Sequence, residues 1–281
     1  MMKRLILCIF YVLLLNHAFA QIETYVSKGE WGIGTGAAAY QGDLNPYAKF
    51  NYLSPAVNVF FQKYFNNYIS LKGALSYAHL RYDDQQASNI TYKTRNLNFN
   101  NHTTELSVSG VFHFFRYAPG YEGSNFTPYI SLGAGVLYSS PYTMLDGKKH
   151  QLRPLGTEGQ HSTTPHDGKK YLPVTATFPL SVGIKKAISE RLALFGEAGY
   201  RFTTTDYLDD VSSTYAGRAA FLPENYKGAD AAIALQLQDR SINHTGKQGL
   251  QRGNSLAKDG FFTAQIGISY NLSTCNCPKV Y

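Results

Sequence analysis

Charge is scarce in this chain: Asp, Glu, Lys and Arg make up 16% of its 281 residues, against the quarter or so usual in soluble domains. Methionine occurs three times and tryptophan once. No long apolar run follows Leu15. A membrane-crossing helix needs about 20 such residues, so helical spans are excluded. Of the three cysteines, Cys8 sits in the N-terminal apolar stretch, which leaves Cys275 and Cys277. Two cysteines with no second pair or nearby histidine do not make a zinc site. An oxidising compartment permits a bridge between them, but an i,i+2 ring is strained. A disulfide or tail contact, an intermolecular bond and two free thiols all stay open. There is also no His-x-x-x-His, no Cys-x-x-Cys and no Gly-x-Ser-x-Gly, the spacings that mark many metal, redox and acyl-transfer sites.

The N-terminus is informative. Lys3 and Arg4 precede an apolar run from Leu5 to Leu15, and Ala18-Phe19-Ala20 supplies a small-x-small boundary. This reads as a secretory signal cut after Ala20. Asn16 and His17 end the run too early for a spanning helix. The formal charge is +7, or +5 without Lys3 and Arg4. The basic residues are spread over turns and loops, which suits an anionic lipid or protein surface better than nucleic acid. Tyr (22), Phe (17) and Gly (25) are abundant, as in β-structure at a membrane interface.

Eight segments alternate with period 2: residues 30–40, 55–63, 68–81, 103–115, 128–138, 174–186, 191–204 and 260–272. Within them, Leu106, Val108 and Phe112 alternate with Glu105, Ser107 and Ser109, and Phe262, Ile266 and Ile268 oppose Thr263, Gln265 and Ser269. At 9 to 14 residues each segment is long enough to cross a bilayer at a tilt, whereas soluble strands average five or six. Short connections alternate strictly with long ones, as periplasmic turns alternate with extracellular loops. An open sheet edge in lipid would strand backbone groups at several kcal/mol each, roughly. The expected fold is therefore all-β: an eight-stranded antiparallel transmembrane β-barrel over residues 21–272. A signal peptide (1–20) precedes it, and a periplasmic tail (273–281) follows.

A barrel of eight strands has an interior just wide enough for side chains, so its inward polar residues must satisfy one another. Lys72, Glu105, Lys185, Glu197 and Arg201 supply opposite charges for such a network. A continuous pore is disfavoured for the same reason. His113 is inward by parity but lies near the periplasmic end of its strand. His102, His150, His161, His166 and His244 fall in long polar connections, where a solvated side chain is the plain reading. No catalytic set emerges, and no cofactor or small-molecule substrate is expected. Asp206, Asp209 and Asp210 could chelate a hard cation, but they lack the EF-hand spacing, so no metal is expected. The plain reading of that segment is a structured turn.

Three segments taken together are more specific. Tyr40-Gln41-Gly42-Asp43-Leu44-Asn45 follows the first strand, Phe126-Thr127-Pro128-Tyr129 opens a Gly-rich fifth strand, and Thr205-Asp206-Tyr207-Leu208-Asp209-Asp210-Val211-Ser212 follows the seventh. With the Cys-bearing tail, this resembles the PorG-like outer-membrane barrels associated with type IX protein secretion. The resemblance implies a non-enzymatic accessory barrel in outer-membrane lipid, in contact with periplasmic secretion-ring or other envelope proteins. Its distinctive residues are Tyr40, Gly42, Asp43, Leu44, Asp206, Tyr207, Leu208, Asp209 and Asp210. Both loops face outward in this topology, so the turns and the tail would have to reach the ring. A general envelope barrel that binds lipopolysaccharide or links the membrane to periplasmic layers is the alternative. A lipid-modifying enzyme is a third.

Overall fold

A computed structural model describes residues 26–273. The signal-peptide residues and Cys275 and Cys277 lie outside the described residues. Alternation produces the expected strands: β1 (Glu30–Gln41), β2 (Ser54–Tyr64), β3 (Ile69–Asp83), β4 (Asn98–His113), β5 (Phe126–Tyr138), β8 (Val174–Ala187), β9 (Leu192–Thr203) and β10 (Gly260–Asn271). Each pairs antiparallel with the next, β5 pairs with β8, and β1 pairs with β10 to close the ring. The eight-stranded antiparallel barrel is thus realised. The closing seam runs in register from Glu30↔Asn271 to Gln41↔Gly260, so no edge is left in the ring.

Two additions were not expected. A short hairpin, β6 (Tyr142–Leu145) and β7 (Lys148–Gln151), joins the ring through one bridge, Asn100↔Tyr142. Its turn is Asp146-Gly147, both at positive φ (50° and 75°), the Asp-Gly signature of a two-residue hairpin. The β3–β4 pair also runs further than the alternation suggested, up to Asp83↔Asn98. His102 therefore belongs to β4 and not to a loop.

The barrel is inside out relative to a soluble protein. Ile33, Leu75, Leu106, Val108, Val182 and Ile268 point outward and are exposed, as are Leu132 (64%) and Ile266 (72%). Exposed aromatic residues flank this belt at both rims: Trp31, Phe112, Phe114, Phe126 and Tyr270 at the turn end, and Tyr77, Tyr138, Phe178 and Phe202 at the loop end. An apolar band between aromatic girdles is the surface that lipid covers, and the chain is a membrane-spanning barrel. Both described termini lie at the turn end, where Ser27 Oγ donates to Asn271 Oδ1 (2.7 Å) and Leu272 N to Gly29 O (2.9 Å).

Side chains fill the lumen. Phe60 and Phe195 meet edge to face, centroids 5.3 Å apart. β1 admits them by having no side chain at Gly32, where a Cβ would sit 2.2 Å from the Phe60 ring. Lys72 Nζ bonds Glu197 Oε2 at 2.6 Å, and Tyr129 Oη donates to the same oxygen at 2.9 Å. Arg201 Nε lies 3.9 Å from Glu105 Oε1, and Arg201 Nη1 donates to Thr263 Oγ1. Lys185 pairs with Glu30, a residue absent from the expected network. A cavity of about 10 Å³ lies beside Glu105 and Arg201. At the turn end, the rings of His113, Tyr64 and Tyr117 cluster with centroids 5.5, 5.8 and 6.1 Å apart.

Candidate functional site

The four long connections build one folded cap over the loop end. Helix α1 (Ile90–Arg95) lies in the second, α2 (Leu152–Leu155) in the third and α3 (Ala231–Gln238) in the fourth. Asn89 caps α1 through Thr91 N, and Asp230 caps α3 through Ile233 N, each satisfying a helix-end donor. A single apolar core runs from the barrel mouth into the cap. It joins Ala38, Tyr40, Leu80 and Phe99 of the strands to Leu44, Leu155, Leu208, Val211, Phe221 and Leu237 of the connections. The segments expected to be long polar loops are thus largely packed. His161 and His166 are only partly buried and bond backbone carbonyls, Arg153 O (3.2 Å) and Thr164 O (2.7 Å).

The structure brings the two distinctive loops together. Tyr40 Oη lies 2.6 Å from Asp209 Oδ2 and 3.1 Å from Asp259 Oδ1. Leu44 N donates to Asp209 Oδ2 (3.3 Å), Val211 N to Asp209 Oδ1 (2.9 Å) and Leu208 N to Asp259 Oδ2 (2.8 Å). Gly42 is obligatory here, because a Cβ would fall 1.9 Å from Asp259 Oδ1 and 2.0 Å from Tyr40 Oη. One phenolic hydroxyl thus faces two buried carboxyl groups. Burial pushes both Asp209 and Asp259 well above the usual carboxylate range. The charge of Asp43 adds to it for Asp209, and that of Asp209 for Asp259. Burial also lifts Asp43 to about 6, and Asp206 to about 7.

The neighbouring acids are tied down as well. Asp210, at φ 65°, accepts from Thr157 Oγ1 (2.6 Å) and Tyr171 Oη (2.5 Å), and burial raises it to about 6. Tyr207 stacks on Tyr171 with centroids 4.4 Å apart. Asp206 Oδ2 accepts from Ser212 Oγ at 2.6 Å. Glu158 collects Ser212 N, Ser213 N and Ser213 Oγ and pairs with Arg252 at 3.1 Å. Arg252 goes on to Asp210 O (2.7 Å) and Gln238 O (3.2 Å). Arg95 binds Asp84 through two bonds of 2.7 and 2.9 Å and reaches Asp43 O. Asp43 in turn accepts from Asn254 N. Every long connection is thereby linked to another through a buried charge, and the acidic segment is an internal fastener.

Among the described residues, no three His, Cys, Asp or Glu side chains are grouped to hold a metal ion. Ser70 Oγ lies 3.2 Å from His113 Nε2, a pairing the sequence did not suggest. His113 is wholly buried in the lumen. The cap instead offers a groove of about 810 Å³ bordered by Ile90, Tyr92, Tyr200, Tyr215, Gln251 and Asn254.

Residues 3–222 match the family described as Domain of unknown function (DUF6089). The chain belongs to that family. The matched region holds both distinctive loops, while Glu158's partner Arg252 and Asp259, the second carboxyl at Tyr40, fall beyond it in the same connection. No curated protein matches this DUF6089 chain. Among solved structures it is similar to Ail, the attachment invasion locus protein of Yersinia pestis, in complex with the heparin analogue sucrose octasulfate (10% identity, TM-score 0.42, 88% of this chain and 100% of that chain). It is also similar to Neisserial surface protein A, NspA (11%, 0.42, 88% and 98%), and to the N-terminal β-barrel domain of Pseudomonas aeruginosa OprF (10%, 0.34, 88% and 100%).

Proposed function

We propose that this chain is a non-enzymatic outer-membrane barrel that serves as an accessory or anchoring component of a protein secretion machine, type IX by resemblance. The observation that carries a scaffold role is the packed lumen: Phe60 meets Phe195 edge to face, and Lys72–Glu197 and Lys185–Glu30 are buried ion pairs within it. A barrel filled by side chains acts through its surfaces. In this reading the cap faces outward. The turns at residues 65–68, 114–125 and 188–191, with the tail from Ser273, face the periplasmic ring. The Tyr40–Asp209–Asp259 fastener keeps the outer surface in one shape for docking.

Deleting the chain is expected to stop surface export of cargo. A Tyr40→Ala barrel should insert in the membrane yet complement poorly, and co-purification from solubilised envelopes should recover periplasmic ring proteins. Export at wild-type level in the deletion strain rejects the role. The second reading is a general envelope barrel that binds lipopolysaccharide, favoured by an unpaired cationic strip at the loop-end rim. A lipid-modifying enzyme finds less support, since His102 is flanked by Tyr77 and Tyr142 and no serine is bonded to it. Lipid A of identical mass with and without the chain would dispose of it.

A further inference from the structure

On the outward side of the loop-end rim, β3 rises from Leu75 through Tyr77 and His79 to Arg81. Opposite them on β4 lie Leu106, Thr104, His102 and Asn100. The rings form a stack. His79 and His102 are 4.6 Å apart at 15°, His102 and Tyr142 are 5.5 Å apart at 19°, and Tyr77 lies 6.0 Å from His102. Hydrogen bonds tie the stack edgewise, from Tyr77 Oη to His102 Nδ1 (2.6 Å) and from His102 Nε2 to Tyr142 Oη (3.0 Å). The Nζ of Lys149 rests 3.8 Å from the Tyr142 ring centroid, and Lys148 precedes it in the β6–β7 hairpin. Arg81 sits over the Tyr52 ring at 5.8 Å. Among the described residues, none of these three cations forms an ion pair.

Resting on the reading of the chain as a lipid-binding envelope barrel, we propose that this strip binds the phosphate of a lipid headgroup, with Arg81, Lys148 and Lys149 as its cations. Depth favours a lipid over a soluble anion. Ile69 to Tyr77 marks the lipid-facing part of β3, and at a rise of about 3.4 Å per residue and a tilt near 40° it spans about 21 Å along the membrane normal. The hydrocarbon band of such barrels is about 25 Å tall. His79 and Arg81 then stand about 5 and 10 Å beyond Tyr77 by the same spacing, which puts Arg81 about 6 Å outside a band that starts at Ile69, at headgroup depth. Tyrosines at that level have an apolar body and a polar tip suited to the interface, and the stack fixes the ring on which Lys149 rests. Lipid acyl chains would continue down the belt over Leu75, Leu106 and Val136.

The test uses the purified, folded full chain in non-ionic detergent, titrated with phosphatidylglycerol or phosphatidylcholine, with retained lipid read by native mass spectrometry. The native chain is expected to prefer the anionic lipid. The triple variant Arg81→Ser, Lys148→Ser, Lys149→Ser should lose on the order of a hundredfold in that affinity. The double variant Lys63→Ser, Lys186→Ser, at the other rim, should keep it. A heat-dependent gel shift confirms that each variant is folded. Equal loss in both variants, or full displacement by millimolar inorganic phosphate, would overturn the strip as a headgroup site. Preference retained in the triple variant sinks the strip but spares the lipid-binding reading, whereas no preference in the native chain sinks both.

Discussion

Removing the Glu197 carboxylate should cost the barrel a large part of its heat resistance. Lys72 and Glu197 are 8% and 5% exposed and 2.6 Å apart, and Tyr129 Oη bonds the same carboxylate oxygen. Glu197→Ala leaves an ammonium and a phenol in a closed lumen without their acceptor. Breaking a buried pair from one side costs about 3–5 kcal/mol. The Phe60 and Tyr129 rings, each under 6 Å from Lys72 Nζ, offset part of that cost. For a chain of this size each kcal/mol moves the midpoint by roughly 2–4 °C, so the shift should be on the order of 10 °C. The assay is the temperature at which the compact, detergent-resistant band converts to the slower unfolded one. The double variant Lys72→Met, Glu197→Leu removes both charges and replaces them with apolar volume, and should return to within a few degrees of the native chain, because such replacements are often neutral or stabilising. A native midpoint in Glu197→Ala, or a double variant as unstable as the single one, would refute the argument that the lumen is held by mutual neutralisation.

Three further outcomes follow from the cap. Its acids have raised pKa values, so the folded cap binds more protons than the unfolded chain. Stability is then greatest below about pH 4 and is lost as pH rises. With Asp43 and Asp210 at about 6 and Asp206 at about 7, amide-exchange protection of residues 204–259 should fall as pH rises from about 4 to 7. Asp259→Asn should flatten that slope, and protection that rises with pH would contradict the proton count. Gly42→Ala drives a methyl into Asp259 and Tyr40 and should expose the cap to protease while the barrel band stays intact. Arg252→Ala removes a charged partner of Glu158, a loss of about 1.5–3 kcal/mol, and should speed nicking of the fourth connection severalfold in limited proteolysis.

The barrel was legible because each of its residues answers to a local rule. Parity alone sorts Leu106 from Glu105 and Ile266 from Gln265, and strand length separates a bilayer from a sandwich. The cap obeys no such period. Leu44, Leu208, Val211 and Leu237 are scattered through connections that look polar as a whole, and only their meeting in space makes them a core. The tyrosine–aspartate fastener joins residues 169 and 219 positions apart, which no spacing in one sequence announces. Glu30, the partner of Lys185, stands at the first position of its strand, where it reads as a boundary charge. His102 reads as a loop residue because Asn98, Asn100 and Asn101 around it are poor strand formers. Asp146-Gly147, by contrast, is a readable hairpin signal.

Surface proteins ordinarily diversify by exchanging one exposed loop at a time, since isolated loops tolerate insertion. Here the four long connections share a common interior, and a replacement in one removes packing from the other three. Sequence drift is therefore confined to points that touch little, such as Ile242 and Leu256, each more than nine-tenths exposed. Homologues should change those tips freely while their connections vary in concert.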